Sequence, residues 1–171
     1  MTEIQQGFFK RLNERSSGER AALRRAAGTL LREADSAAIT AFYRCLPPVV
    51  DQAQEGKWFA VACLRCLWDA GEESGRPFEQ ILSDLMRRGE LSDSTAHRVE
   101  TLLDTKWDAD GFMLTKLTRL IKQIRQKSDR AAVDFAALLD DLIRWNYDSQ
   151  TVQRKWARAV FAQDKNNEEK E

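Results

Sequence analysis

Histidine is nearly missing from this 171-residue chain, long hydrophobic runs are missing altogether, and there is no net charge of either sign. Each shortage closes off a class of function. The one histidine, His97, sits beside Arg98 and one turn from Asp93. No nucleophile accompanies it at a recognisable spacing, so acid–base and nucleophilic catalysis have little to work with. The longest apolar-rich stretch, Trp58 to Trp68, is eleven residues and contains Arg65. A bilayer takes about 20 apolar residues, so no membrane-spanning segment is expected. Met1-Thr2-Glu3-Ile4-Gln5-Gln6 has neither the basic start nor the apolar stretch of a secretory signal. With three cysteines, an odd number, the expectation is a reducing, cytoplasmic compartment and unpaired thiols.

Ligand motifs are equally scarce. Cys63 and Cys66 lie one turn apart on a helical stretch, but zinc takes four ligands. Cys45 and His97, the only other candidates, lack ligand spacing. Flanked by Val61, Leu64, Leu67 and Trp68, the two thiols read as small buried hydrophobes. Asp108-Ala109-Asp110-Gly111 resembles the middle of a calcium loop. Lys106 and Leu117 stand where that loop needs carboxylates, so a turn and helix cap is the better reading. No glycine-rich phosphate loop is present, and neither a cofactor nor a metal is expected. The paired Asp140-Asp141 read as the solvated face of an amphipathic helix.

What the chain does have is period. Every informative segment repeats near 3.6 residues and none alternates convincingly with period 2. Ile4, Phe8 and Leu12 step by four. Ser16 followed by Glu19 is a capping box opening a helix that carries Leu23 and ends near Gly28. A third helix runs from about Ser36 through Phe42 and Leu46 to the stop at Pro47-Pro48. From about Gln54 to Ala70 the pattern is apolar on so much of its circumference that the helix belongs at a bundle centre. Gly71 to Pro77 reads as a loop. Helices follow with Phe78, Ile81, Leu82, Leu85 and Met86, and with Val99, Leu102 and Leu103. Three more cover about Phe112–Lys127, Val133–Trp145 and Gln150–Ala162.

The expected fold is therefore all-α, with eight to nine short helices packed like a bundle. The break near Asp108 divides it into two small lobes, 1–107 with the central apolar helix and 108–162 with a basic one. The polar tail, 163–171, is expected to fray.

One constellation carries chemistry. From Gly111 to Ser128 there is no acidic residue, yet Lys116, Arg119, Lys122, Arg125 and Lys127 give the stretch a charge of +5 in a chain of 27 basic and 27 acidic residues. At about 100° per residue, Leu114, Leu117, Leu120, Ile121 and Ile124 form one stripe. Lys116, Arg119, Lys122 and Arg125 step by three across the other side. Such a slanted ribbon of cations suits a phosphate backbone. An acidic protein surface is the alternative partner. Arg20, Arg24 and Arg25, with Glu19 beside them, make a second basic cluster. Arg154, Lys155 and Arg158 make a third around Trp156, whose spacing from Val152 and Val160 marks it as core.

These residues also carry a resemblance. Ala41-Phe42-Tyr43-Arg44-Cys45-Leu46-Pro47 resembles the signature of the small subunit of type I-E CRISPR Cascade, the CasB family. Trp58 to Leu64 is similar to that family's central helix. Phe135 to Leu142 leading into Arg144-Trp145, then Val152 to Ala157, complete the match in order over nearly the whole chain. The resemblance implies a cytoplasmic subunit without enzymatic activity, paired with a second copy and set beside the backbone and large subunits. It implies contacts to crRNA, target DNA and the displaced strand that stabilise an R-loop. Arg24, Arg25, Arg98 and Arg119 are the positions it points to. Lys116, Lys122, Arg125 and Lys127 are added from the charge pattern.

Overall fold

The computed structural model describes residues 1–69, 75–127 and 131–162, so the 163–171 tail lies outside the described residues. Within them the chain forms nine α-helices: α1 (Glu3–Asn13), α2 (Ser17–Arg25), α3 (Ser36–Tyr43), α4 (Glu55–Trp68), α5 (Phe78–Arg87), α6 (Asp93–Leu103), α7 (Phe112–Lys127), α8 (Phe135–Arg144) and α9 (Thr151–Phe161). There is no strand among them, only an isolated parallel bridge between Arg76 and Val133. None of these helices is long and apolar enough to cross a membrane.

Local chemistry sets the boundaries. The Ser16–Glu19 box is present, and Thr2 with Gln5 makes a second one that opens α1. α3 stops at Tyr43, a little before Leu46, because Pro47 disfavours helical backbone in the residue before it. α4 ends where Asp69 turns left-handed, at φ 50°. α8 starts at Phe135 because Asp134 turns out of the helix to accept from the Ala137 N–H, at 2.9 Å.

α4 is the hub, with ten of its fourteen residues buried. It packs against α2, α7 and α8, while α9 packs on α5 and α6. Residues from all nine helices join one hydrophobic cluster. Polar ties cross it. The Trp68 indole donates to the Ala131 carbonyl (2.8 Å) and the Trp145 indole to the Thr105 carbonyl (2.9 Å). Burial of Lys57, which donates to the Ile143 carbonyl at the end of α8, pushes its ammonium pKa down. Position 108 lies in the α6–α7 connection, where Asp108 Oδ1 accepts from the Asp110 and Gly111 N–H groups, the expected turn and cap.

Two readings need correction. Ile4 points outward and Gln5 takes its place in the packed face. The Gln5 amide accepts from the Thr2 N–H at its oxygen and donates to Asp140 Oδ1, at 2.7 Å, from its nitrogen. The Asp140-Asp141 pair is likewise no solvated face: Asp141 is 1% exposed. It accepts from Lys155 Nζ at 2.6 and 2.7 Å and from Trp156 Nε1 at 2.8 Å. A buried carboxylate is tolerable only when its lone pairs are filled this way.

Candidate nucleic-acid interface

α7 buries Met113, Leu114, Leu117, Thr118, Leu120, Ile121 and Ile124. Its neighbours leave only part of the opposite side open. On one flank α6 is tied on by Gln123, which donates to the buried Thr95 hydroxyl (2.8 Å) and accepts from Arg98 (2.8 Å). On the other flank, the turn after α2 lies on Thr118. Gly28 there has φ +88°, and a Cβ on it would stand 3.2 Å from the Thr118 methyl. Gly111, at φ +75°, similarly seats the first turn of α7 against Leu30. Glycine is needed at both because other residues strain there.

Between those flanks Arg119 and Lys122 are exposed, and Arg125 and Lys127 continue the exposed cations toward the helix end. None of the four makes an ion pair or hydrogen bond with the described residues. Arg25, the last residue of α2, is exposed and similarly without a partner among them. Arg98 stands on the α6 flank. Arg119, Lys122, Arg125 and Lys127 are thus exposed on α7 itself, with Arg98 beside them on α6 and Arg25 at the end of α2.

Two predicted residues depart from this arrangement. Lys116 is half-buried and donates to Thr105 Oγ1 at 2.8 Å, so it fastens α7 to the α6–α7 connection instead of opening the ribbon. Arg24 is turned to the end of α4, donating to the Cys66 carbonyl (3.2 Å) and pairing with Asp69 (3.3 Å). It caps α4, where carbonyls lack intrahelical partners. Sequence reasoning passed over Gln123, which nothing in the pattern marks. It also passed over Phe112, exposed at the head of α7, whose signal was its seven-residue spacing from Arg119.

The rest of the molecule supplies no catalytic cluster among the described residues. His97 is exposed and 3.4 Å from Glu100, one turn along α6, so its carboxylate neighbour is Glu100 and not Asp93. Cys45, Cys63 and Cys66 are all buried and unpaired. Burial pushes the Cys63 thiol well up and the Cys66 thiol up to about 11, so neither is a thiolate at neutral pH. No group of three or more metal-binding side chains occurs among the described residues. Of the third basic cluster, Lys155 is committed to Asp141 and to Glu79 (3.4 Å), and Trp156 is core.

Comparison with known proteins shows the family of this fold. The sequence profile of the CRISPR-associated protein Cse2 family matches residues 19–161. A CRISPR-associated protein Cse2 from Thermus thermophilus is 30% identical over 138 residues, 76% of this chain and 75% of that one. The crystal structure of a Cse2-family protein from the same organism superposes with a TM-score of 0.74 at 26% identity, covering 95% of this chain and all of that one. CasB of M. ruber gives 0.73 at 23% identity, covering 94% of each. A chain of a CRISPR RNA-guided surveillance complex gives 0.68 at 24% identity, covering 92% of this chain and 88% of that one.

Proposed function

The chain belongs to the CRISPR-associated protein Cse2 family, and from that premise we propose that it is a non-catalytic subunit of a CRISPR RNA-guided surveillance complex, of the type I-E Cascade kind, that holds nucleic-acid strands on α7. The observation that carries this reading is the cationic strip without partners among the described residues: Arg119, Lys122 and Arg125 exposed on a packed helix, with Arg98 on the α6 flank. In a net-neutral protein, cations left without acids on a rigid support suit phosphates and offer no base-reading geometry. In the complex the subunit sits as a pair beside the backbone and large subunits, near crRNA and target DNA. Its cations take the displaced or target strand. Exchanging a DNA duplex for a heteroduplex is nearly balanced, so modest backbone contacts tip the R-loop toward the open state. The work of the site is adhesion, done in the cytoplasm where the complex acts.

The test is Arg119→Glu/Lys122→Glu/Arg125→Glu in the reconstituted complex, with assembly checked first by size-exclusion chromatography. The variant is expected to assemble and to bind target DNA several-fold more weakly. If the three cations each neutralise one phosphate, log K for a single strand falls with log salt at a slope near −2 in the wild type, from about 0.7 per phosphate. That slope should flatten in the variant. A variant that assembles and binds normally overturns the site. A variant that fails to assemble makes the strip a docking face for an acidic protein.

A further inference from the structure

Phe112 is 62% exposed at the first position of α7, although a phenyl ring is among the most valuable groups to bury. Further along the same side of the helix stand exposed cations. At about 100° per residue, Arg119 lies within about 20° of the Phe112 direction, two turns and about 10.5 Å further along the axis. Lys122 lies about 80° to one side, within the same open strip between the α2 turn and α6. The exposed ring and the cations therefore share one face of one helix.

That face is rigid where the ring stands. The residue before it, Gly111, is held by Asp108 Oδ1 (3.2 Å) and seated against Leu30. A platform with a fixed backbone loses little freedom when something is laid on it.

Building on the nucleic-acid reading of α7, we propose that Phe112 is a stacking platform for one unpaired base of a strand whose phosphates run on Arg119 and Lys122. The substrate class is then single-stranded nucleic acid, since in a duplex the base faces are covered by neighbouring pairs. Cationic tracks combined with exposed aromatics are how sequence-tolerant single-strand binding is built, because every base has a π-face. The axial rise of about 10.5 Å between positions 112 and 119 corresponds to about three stacked steps of about 3.4 Å, and to fewer in an extended strand, so one short segment reaches both.

The experiment compares the full chain with Phe112→Ala, Phe112→Trp and the α7 charge reversal, by fluorescence anisotropy at low salt. The probes are a labelled mixed-sequence single strand and its matched duplex. Phe112→Ala should weaken single-strand binding at least about fivefold, the low end for losing one stacked aromatic. Duplex binding should stay within about twofold, and the salt slope and melting temperature should not move. Phe112→Trp should restore or exceed wild-type affinity. Equal losses on both probes, or no loss at Phe112→Ala while the charge reversal abolishes binding, overturn the platform and leave the strip standing. If neither set of changes matters, both readings fall. If Phe112→Ala binds nucleic acid normally but drops out of the assembled complex, the ring docks an apolar partner protein and the inference is wrong.

Discussion

Asp141 is where one carboxylate holds three helices, and replacing it by alanine should be among the more damaging single changes. Its carboxylate, on α8, accepts from Lys155 Nζ and from Trp156 Nε1, both on α9, and Lys155 also reaches Glu79 on α5. Asp141→Ala leaves the indole N–H of the fully buried Trp156 without an acceptor, at about 1–3 kcal/mol. Breaking a wholly buried ion pair costs about 3–5 kcal/mol. Here that figure is discounted, because the Lys155 side chain is 44% exposed and can turn to Glu79 or to water. The net expectation is about 2–4 kcal/mol. For a chain of this size, at about 2–4 °C per kcal/mol, the melting temperature drops by about 5–15 °C. Asp141→Asn keeps an oxygen for the Trp156 N–H and loses only the charge, so it should fall between wild type and alanine. Thermal melts followed by circular dichroism, with urea titrations for the free energies, decide the matter. A loss below about 2 °C for Asp141→Ala, or equal losses for Asn and Ala, would refute the argument that the indole contact and the charge contribute separately.

Other outcomes follow from the same coordinates. A Cβ on Gly75 would fall inside the backbone of Val133 and Asp134, where Arg76 exchanges hydrogen bonds with Ala132 and Asp134. Gly75→Ala should therefore cost more than the ~1 kcal/mol typical of point substitutions, seen as a lower urea midpoint. The three buried thiols should resist a thiol reagent in the native protein at mildly alkaline pH and all react once it is unfolded. The Cys66 thiol, raised to about 11, should stay unreactive well above the pH at which an ordinary cysteine ionises.

The fold was legible because its signal is redundant. The apolar stripe of α7 repeats turn after turn, and the capping box of α2 sits where the period begins, so each boundary is marked twice. Polar burial was not legible, because it depends on partners far away in sequence. Gln5 meets Asp140 across 135 residues, and nothing near either announces the contact. For the same reason Asp141 read as solvated: its lysine and indole come from the next helix. The candidate site divides along this line. Periodicity places Arg119, Lys122 and Arg125 outward. It cannot see that Thr105 in the α6–α7 connection claims Lys116, or that the end of α4 claims Arg24.

The glycine contacts that seat α7 also decide how it bears load. Its first turn is pinned through Gly111 on Leu30, its middle through Thr118 under Gly28, and its other edge through Gln123 on α6 and Lys116 on Thr105. On the proposed reading, a polyanion tugged along the helix axis would pull in shear against anchors spread over the length of α7. It would not peel one end away first.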